Sequence, residues 1–171
     1  YTAVYSQEKM SESFADTCSA LEKSKIPYIP LKGAVIRGLY PQPWMRTSCD
    51  IDILVKEKDL KRAVEVLTEC GFTLKGESKH DVVLSAENGT VLELHYKLIN
   101  NKRYPLYSKV LKNIWKTAQP SGEGGCSYKL SDEVFYYYHI LHMAKHFRIG
   151  GCGIRPFIDL WLMNKDGKYS T

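Results

Sequence analysis

The sequence predicts an α/β (α+β) domain, a sheet interleaved with helices and followed by a helical extension. Two segments, Cys49–Val55 and Val91–Lys97, alternate polar and branched apolar residues with the period of a half-buried strand. Asn88-Gly89 joins Asp81–Ala86 to Val91–Lys97 and is a strong hairpin signal. Stretches of helical period lie before, between and after these segments.

In chain order, Glu8 to Lys23 carries Met10, Phe14, Cys18 and Leu21 at spacings of four, four and three, the apolar stripe of a helix. Pro27 and Pro30 bracket an extended segment from Tyr28 to Leu31, because a proline drives the residue before it out of the helical region. Lys32-Gly33 follows, and Ala34 to Tyr40 is expected as a short helix stopped by Pro41 and Pro43. Asp59 to Cys70 is a helix that Gly71 closes. Strands are expected at Phe72–Gly76, Asp81–Ala86 and Val91–Lys97, then a basic polar stretch, Asn100 to Arg103, and a helix from Leu106 to Thr117. A glycine-rich loop, Ser121 to Gly125, leads into a short strand, Ser127 to Leu130. Ser131 is placed to cap a long helix reaching about Arg148, with Asp132 and Glu133 where carboxylates favour the helix dipole. Gly150, Gly151 and Gly153 interrupt before a last helix, Pro156 to Asn164. The chain thus divides into a core, residues 1–130, and a helical extension, residues 131–171, packed on it.

At 171 residues the chain can bury roughly 70% of the surface its unfolded form exposes, enough for a core without metal or disulfide staples. With 44% hydrophobic and 25% charged residues, it excludes disordered, collagen-like and coiled-coil classes. No apolar run approaches the ~20 residues of a bilayer span. The start, Tyr1-Thr2-Ala3-Val4, lacks a signal-peptide layout, so a cytoplasmic location without membrane contact is expected. Cys18, Cys49, Cys70, Cys126 and Cys152 are scattered, without a CxxC pair, and are expected as reduced, mostly buried thiols. The net charge of +5 is spread without a block of like charge and accommodates an anionic ligand. The chain has no initiating methionine and stops at Asp166-Gly167-Lys168-Tyr169-Ser170-Thr171, so a truncated piece of a longer protein is expected.

Three elements carry candidate chemistry. In Arg46-Thr47-Ser48-Cys49-Asp50-Ile51-Asp52-Ile53-Leu54-Val55, Asp50 and Asp52 share one strand face ~7 Å apart, and Ile51, Ile53 and Val55 share the other. Carboxylates so close repel without a cation, and hard ions such as Mg²⁺ take oxygen ligands of this kind. A solvated polar face on an edge strand uses the same pattern. Val91-Leu92-Glu93-Leu94-His95-Tyr96 is a second alternating strand, with Glu93 and His95 on its polar face. Paired beside the first, it adds a third carboxylate, and three can hold two Mg²⁺ ions around a nucleoside triphosphate. Glu93 can instead pair with a lysine, and His95 can be a hydrogen-bonded structural histidine. Leu31-Lys32-Gly33-Ala34 lies at a strand-to-helix junction. There a glycine lets backbone approach a ligand, free N–H groups favour phosphate, and Lys32 adds a cation.

Taken in order, Lys32-Gly33, Leu39-Tyr40-Pro41, Arg46 with Asp50-Ile51-Asp52, and Glu93-Leu94-His95 resemble the DNA polymerase β-like nucleotidyltransferase superfamily. More narrowly, they resemble its bacterial family of uncharacterised nucleotidyltransferases, which is similar also in a later His-x-x-x-Lys-His pattern, matched loosely by His142-Met143-Ala144-Lys145-His146. The resemblance runs from about Ile29 to Leu162. It implies a small mixed sheet flanked by helices, with residues 1–130 as the catalytic core. It implies two Mg²⁺ ions, or Mn²⁺ in their place, and transfer of a nucleoside monophosphate, AMP first, from a nucleoside triphosphate to an acceptor hydroxyl with release of pyrophosphate. Asp50 and Asp52 would ligate both metals, and Glu93 the acceptor-side metal while serving as base. Gly33, Ala34 and the following N–H groups would hold the triphosphate, with Lys32 and Arg46 as counter-charges. The wider superfamily has Gly-Ser where this chain has Gly33-Ala34, and the run from that glycine to Asp50 is longer here. That junction favours the alternative, a nucleotide- or partner-binding module without catalysis. The acceptor is open between a small molecule, a tRNA end and a protein hydroxyl, and nothing specifically indicates nucleic acid.

His139, His142 and His146 fall within about 60° on one helical stripe with Phe135. His142 and His146 have the spacing of a helical zinc pair, but Met143 stands where a metalloprotease needs its glutamate. His139 and Phe135 are expected in an aromatic stripe packed on the sheet. Lys145 and His146 are expected either at the surface or turned toward nucleotide phosphates. Trp44, Trp115 and Trp161 read as packing residues, and Arg155 can meet an anionic cleft.

Overall fold

Alternating segments pair into one five-stranded mixed sheet. The computed structural model describes residues 2–98, 110–148 and 150–165. The strands are β1 (Tyr28–Leu31), β2 (Asp50–Val55), β3 (Thr73–Glu77), β4 (Asp81–Ser85) and β5 (Val91–His95), and their order across the sheet is β1-β2-β5-β4-β3. Only β2 and β5 run parallel; β1 pairs antiparallel with β2, and β4 antiparallel with both β5 and β3. The helices are α1 (Thr2–Lys23), α2 (Gly33–Ile36), α3 (Leu60–Glu69), α4 (Ile114–Thr117), α5 (Asp132–Phe147) and α6 (Arg155–Asn164). A two-stranded ribbon, β6 (Gln119–Pro120) and β7 (Tyr128–Lys129), lies beside β1.

Strand alternation sorts the side chains into two cores. Ile51, Ile53 and Val55 of β2 and Leu92 and Leu94 of β5 point to one face, where Leu21 of α1 and Ala63 and Leu67 of α3 cover them. On the other face, Ile29, Leu31 and Leu54 pack with Ile36 of α2, Phe135 and Tyr138 of α5, and Met163 of α6. The final two helices therefore pack over the sheet face that Asp50 and Asp52 share with Leu54. The hairpin after β4 turns at Gly89, φ 85°, as Asn-Gly predicts. Asn88 locks it to α1: its Oδ1 accepts from Thr90 N at 3.0 Å and its Nδ2 donates to Ser13 Oγ at 3.0 Å.

Several elements depart from the sequence reading. The first helix begins at Thr2, well before Glu8. The helix expected over Ala34–Tyr40 is α-helical only to Ile36 and tightens to a 3₁₀ turn at Arg37–Leu39; Tyr40 is then extended, as a residue before proline should be. Asn100–Arg103 and the first part of the helix expected over Leu106–Thr117 lie outside the described residues, and that helix is seen as α4. The cysteines are unpaired but none is fully buried; Cys49 and Cys70 are exposed because they stand just outside β2 and α3. Trp44 and Trp161 are exposed, so packing accounts for neither. Ser131 caps α5, its side chain accepting from Val134 N.

Leu94, 0% exposed on the central strand pair, is expected to cost about 2–5 kcal/mol on replacement by alanine. Leu74→Ala on the edge strand β3, where the side chain is 52% exposed, should stay within about 0.5 kcal/mol; denaturant unfolding compares the two.

Candidate functional site

Parallel pairing of β2 with β5 sets Asp52 opposite Glu93 and Leu54 opposite His95. The third carboxylate thus joins the first two on one sheet face. Lys32 enters from the other side, because antiparallel pairing of β1 sets Leu31 opposite Asp52 and the next residue turns out of the strand. Its backbone has φ 42° and ψ −115°, a strained conformation for a residue with a Cβ. Lys32 Nζ lies 2.5 Å from Asp52 Oδ1 and 3.9 Å from Glu93 Oε2. His95 Nε2 lies 2.8 Å from the same Asp52 oxygen and 3.4 Å from Glu93 Oε2, while Nδ1 is 3.9 Å from Asp81.

Burial and charge treat the carboxylates differently. Asp52 is 2% exposed; burial alone would raise its pKa, but the bond from His95 and the Lys32 charge outweigh burial and hold it well below the carboxylate range. At Asp50 the Lys32 and Arg155 charges act in the same favourable sense but are outweighed. Burial first, then the Asp52 and Glu93 charges, push its carboxyl up. Burial pulls the His95 imidazole down, but its bonds to Asp52 and Glu93 outweigh that and raise it. Lys32 is raised too, because Tyr138, Asp52 and Glu93 outweigh the effect of burial.

These residues fit a divalent cation. Asp52, Glu93 and His95 each offer a ligand atom, all within 4.8 Å of one another, and Asp50 stands on the same sheet face. Lys32, and His95 when protonated, supply the positive charge a cation would replace.

The other residues singled out in the sequence divide into two groups. Gly33 opens α2 beside the cluster, and a Cβ there would lie 2.5 Å from Arg46 Nη1 and 3.3 Å from Ser48 Oγ, so this glycine is required by a close neighbour. Ala34 follows, half-buried. Arg46 is buried, and its Nε and Nη2 donate to Asp159 of α6 at 3.0 and 2.8 Å. The histidine stripe splits. His139 is buried 3.7 Å from Asp159, whereas His142 and His146 pair with each other, their Nε2 atoms 2.8 Å apart. Tyr138, one turn before His142, belongs to the same core as Leu54. Lys145 and His146 are exposed at that end of α5.

Sequence reasoning missed Asp159, Tyr40 as its partner, and Arg37. Asp159 is the one acid in Phe157-Ile158-Asp159-Leu160-Trp161, and a lone carboxylate in an apolar helix is the signal that could have marked it. Tyr40 Oη donates to Asp159 Oδ1 at 2.7 Å, and Arg37 donates to Ser48 Oγ at 2.6 Å. Arg155 donates to the Thr47 carbonyl at 2.5 Å, so α6 touches the loop that leads into β2 at two successive residues.

The same fold recurs in solved structures. The solution structure of the antibiotic-resistance factor ANT(2'')-Ia matches with a TM-score of 0.67 at 9% identity, covering 94% of this chain and 85% of that one. The crystal structure of ANT(2'')-Ia in complex with adenylyl-2''-tobramycin gives 0.64 at 11% identity, over 90% of this chain and 86% of that one. An antigenic nucleotidyltransferase-like protein from Paracoccidioides brasiliensis gives 0.51 at 18% identity, over 88% and 74%. At these identities the likeness is one of fold. No curated protein matches the sequence. A family model described as "Uncharacterised nucleotidyltransferase" matches residues 2–168.

Two outcomes are expected from this geometry. Gly33→Ala should destabilise by about 1–3 kcal/mol in denaturant unfolding, because Arg46 is held by Asp159 and cannot retreat from the new methyl group. His142 should make stability fall with acid. Burial, then the Lys32 and His146 charges, push it down to about 2 in the folded chain, against about 6.5 when unfolded. Below the higher value the unfolded chain takes up a proton that the folded chain refuses, so stability declines as pH drops from about 6.5 toward 4. His142→Gln should flatten that decline by about one bound proton, measured as the slope of unfolding free energy against pH.

Proposed function

The chain belongs to the uncharacterised nucleotidyltransferase family, and from that premise we propose that it transfers a nucleoside monophosphate, AMP first, from a nucleoside triphosphate to an acceptor hydroxyl. The observation that carries the proposal is the pairing of Asp52 with Glu93 across parallel strands, with Asp50 on the same face. In this reading Asp50, Asp52 and Glu93 hold two Mg²⁺ ions, or Mn²⁺, with His95 as a further donor to the cluster. The bound ions would draw charge from the α-phosphate and from the attacking and leaving oxygens.

The chain's own residues divide the remaining work. The N–H groups that open α2 at Gly33 and Ala34 receive the triphosphate, with Lys32 beside them. Lys145 and His146, exposed on α5, would add positive charge for phosphate, while Arg46 lies behind Gly33 with its charge matched by Asp159. Glu93 takes the acceptor proton. Its side chain is 31% exposed, whereas Asp52 is sealed by Lys32 and His95, so Glu93 is the carboxylate an incoming hydroxyl meets. The acceptor oxygen then bonds to the α-phosphorus, the bond to the β-phosphate oxygen breaks, and pyrophosphate leaves with that electron pair. The core over residues 1–130 would bear this chemistry and the helices beyond it would close one side. The ANT(2'')-Ia complex with adenylyl-2''-tobramycin makes an adenylyl donor and a small-molecule acceptor the first pair to test.

Asp50→Asn should abolish transfer without loss of stability, since it removes a carboxylate that its neighbours repel. Asp52→Asn should abolish transfer and also lower the melting temperature, because Lys32 and His95 lose the anion between them. Glu93→Gln should keep nucleotide binding and lose turnover. Calorimetry with ATP and Mg²⁺, pyrophosphate release and mass spectrometry of products check all three; binding without release by the unmodified chain on any acceptor would favour a non-catalytic module.

A further inference from the structure

We propose that Asp159 is a positioning residue, which closes on Arg46 and thereby holds the guanidinium against Gly33, fixing the turn that receives the nucleotide phosphates. The proposal rests on the nucleotidyl-transfer reading for its effect on catalysis, while the mechanical link can be measured without nucleotide.

Asp159 is 0% exposed. Its carboxylate accepts from Arg46 Nε and Nη2 and from Tyr40 Oη, three donors converging on one anion. Such a side-on, two-bond pair fixes the plane of the guanidinium as well as its place. With Nε and Nη2 aimed at Asp159, the remaining nitrogen, Nη1, is aimed at Gly33 and fills the space a Cβ would take. Helix α6 thus sets the backbone at Gly33 through Arg46. Tyr40 stands just after the short helix that begins at Gly33, and Arg46 stands at the end of the excursion leading to β2. One carboxylate therefore ties the start, middle and end of the segment between Lys32 and Asp50. Arg155 adds a second tie from the same helix, to the Thr47 carbonyl.

The buried pair also decides what Arg46 does with its charge. A guanidinium closed on a buried carboxylate offers little net positive charge to a phosphate, and buried ion pairs add little net stability compared with apolar packing. Orientation is what this arrangement supplies. The competing role, Arg46 as a direct counter-charge for the triphosphate, predicts the opposite sign: removing the Asp159 charge would free Arg46 and strengthen nucleotide binding.

The test uses the full chain with Asp159→Asn, Arg46→Lys and the double variant, ATP with Mg²⁺ as probe, and amide hydrogen exchange without nucleotide. Asp159→Asn should weaken ATP binding by about tenfold or more, with kcat changed less than Kd. Arg46→Lys keeps both charges but cannot form the two-bond pair, so it should do the same. The double variant should be no worse than the worse single one. Exchange should rise at residues 33–36 and 46–50 and stay unchanged in α3 and in β3 and β4. Tighter ATP binding in Asp159→Asn, additive losses in the double variant, or exchange rising evenly along the chain would overturn the proposal. If Asp159→Asn loses its cooperative melt, Arg46→Lys carries the comparison. If the unmodified chain neither binds nor turns over ATP, the functional reading fails and the exchange pattern alone decides the link.

Discussion

Repulsion among carboxylates on one sheet face organises this site. Because β2 and β5 run parallel with Asp52 opposite Glu93, and because Asp50 precedes Asp52 by one strand period, three acids share a surface that two packed cores keep from spreading. The resting chain meets that repulsion with Lys32 and His95, both on the same Asp52 oxygen. To reach it, Lys32 adopts a positive φ, a strain of order 1–3 kcal/mol that persists only where surrounding contacts over-determine it. Antiparallel pairing of β1 and the close packing of Arg46 on Gly33 supply those contacts.

The compensation is uneven, and the unevenness has chemical meaning. Asp52 is satisfied twice over and ionised well into acid, whereas Asp50, crowded by Asp52 and Glu93, is raised. The same face is covered by α5, whose Phe135 and Tyr138 pack in one core with Leu54, with His142 one turn beyond Tyr138. Neutral imidazoles suit that position, since charging His142 beside Lys32 would set one cation against another.

Strand existence and face were legible in the sequence because alternation and an Asn-Gly turn are local signals. The pairing of β2 with β5 was not, since nothing within either segment names its neighbour; only the demand of Asp50 and Asp52 for a third carboxylate suggested it. Glycine at 33 was read as a place where backbone meets a ligand; the group that approaches it within the chain is Arg46, and the unusual backbone belongs to Lys32. Arg46 looked like a free counter-charge because its partner lies 113 residues onward in another helix. Likewise, a 60° stripe grouped three histidines that the packing separates, sending His139 to Asp159 and leaving His142 paired with His146. Long-range pairing, rather than local propensity, accounts for each of these differences.

Access follows from the same contacts. Asp52 is closed by Lys32 and by His95, and only 2% of it is exposed. Glu93 keeps a partly open side chain on the strand facing away from β1. In the proposed reaction, phosphate therefore approaches from the Gly33 side and the acceptor from the Glu93 side. The register of β5 beside β2 thus sets which carboxylates share the face and leaves Glu93 partly exposed there.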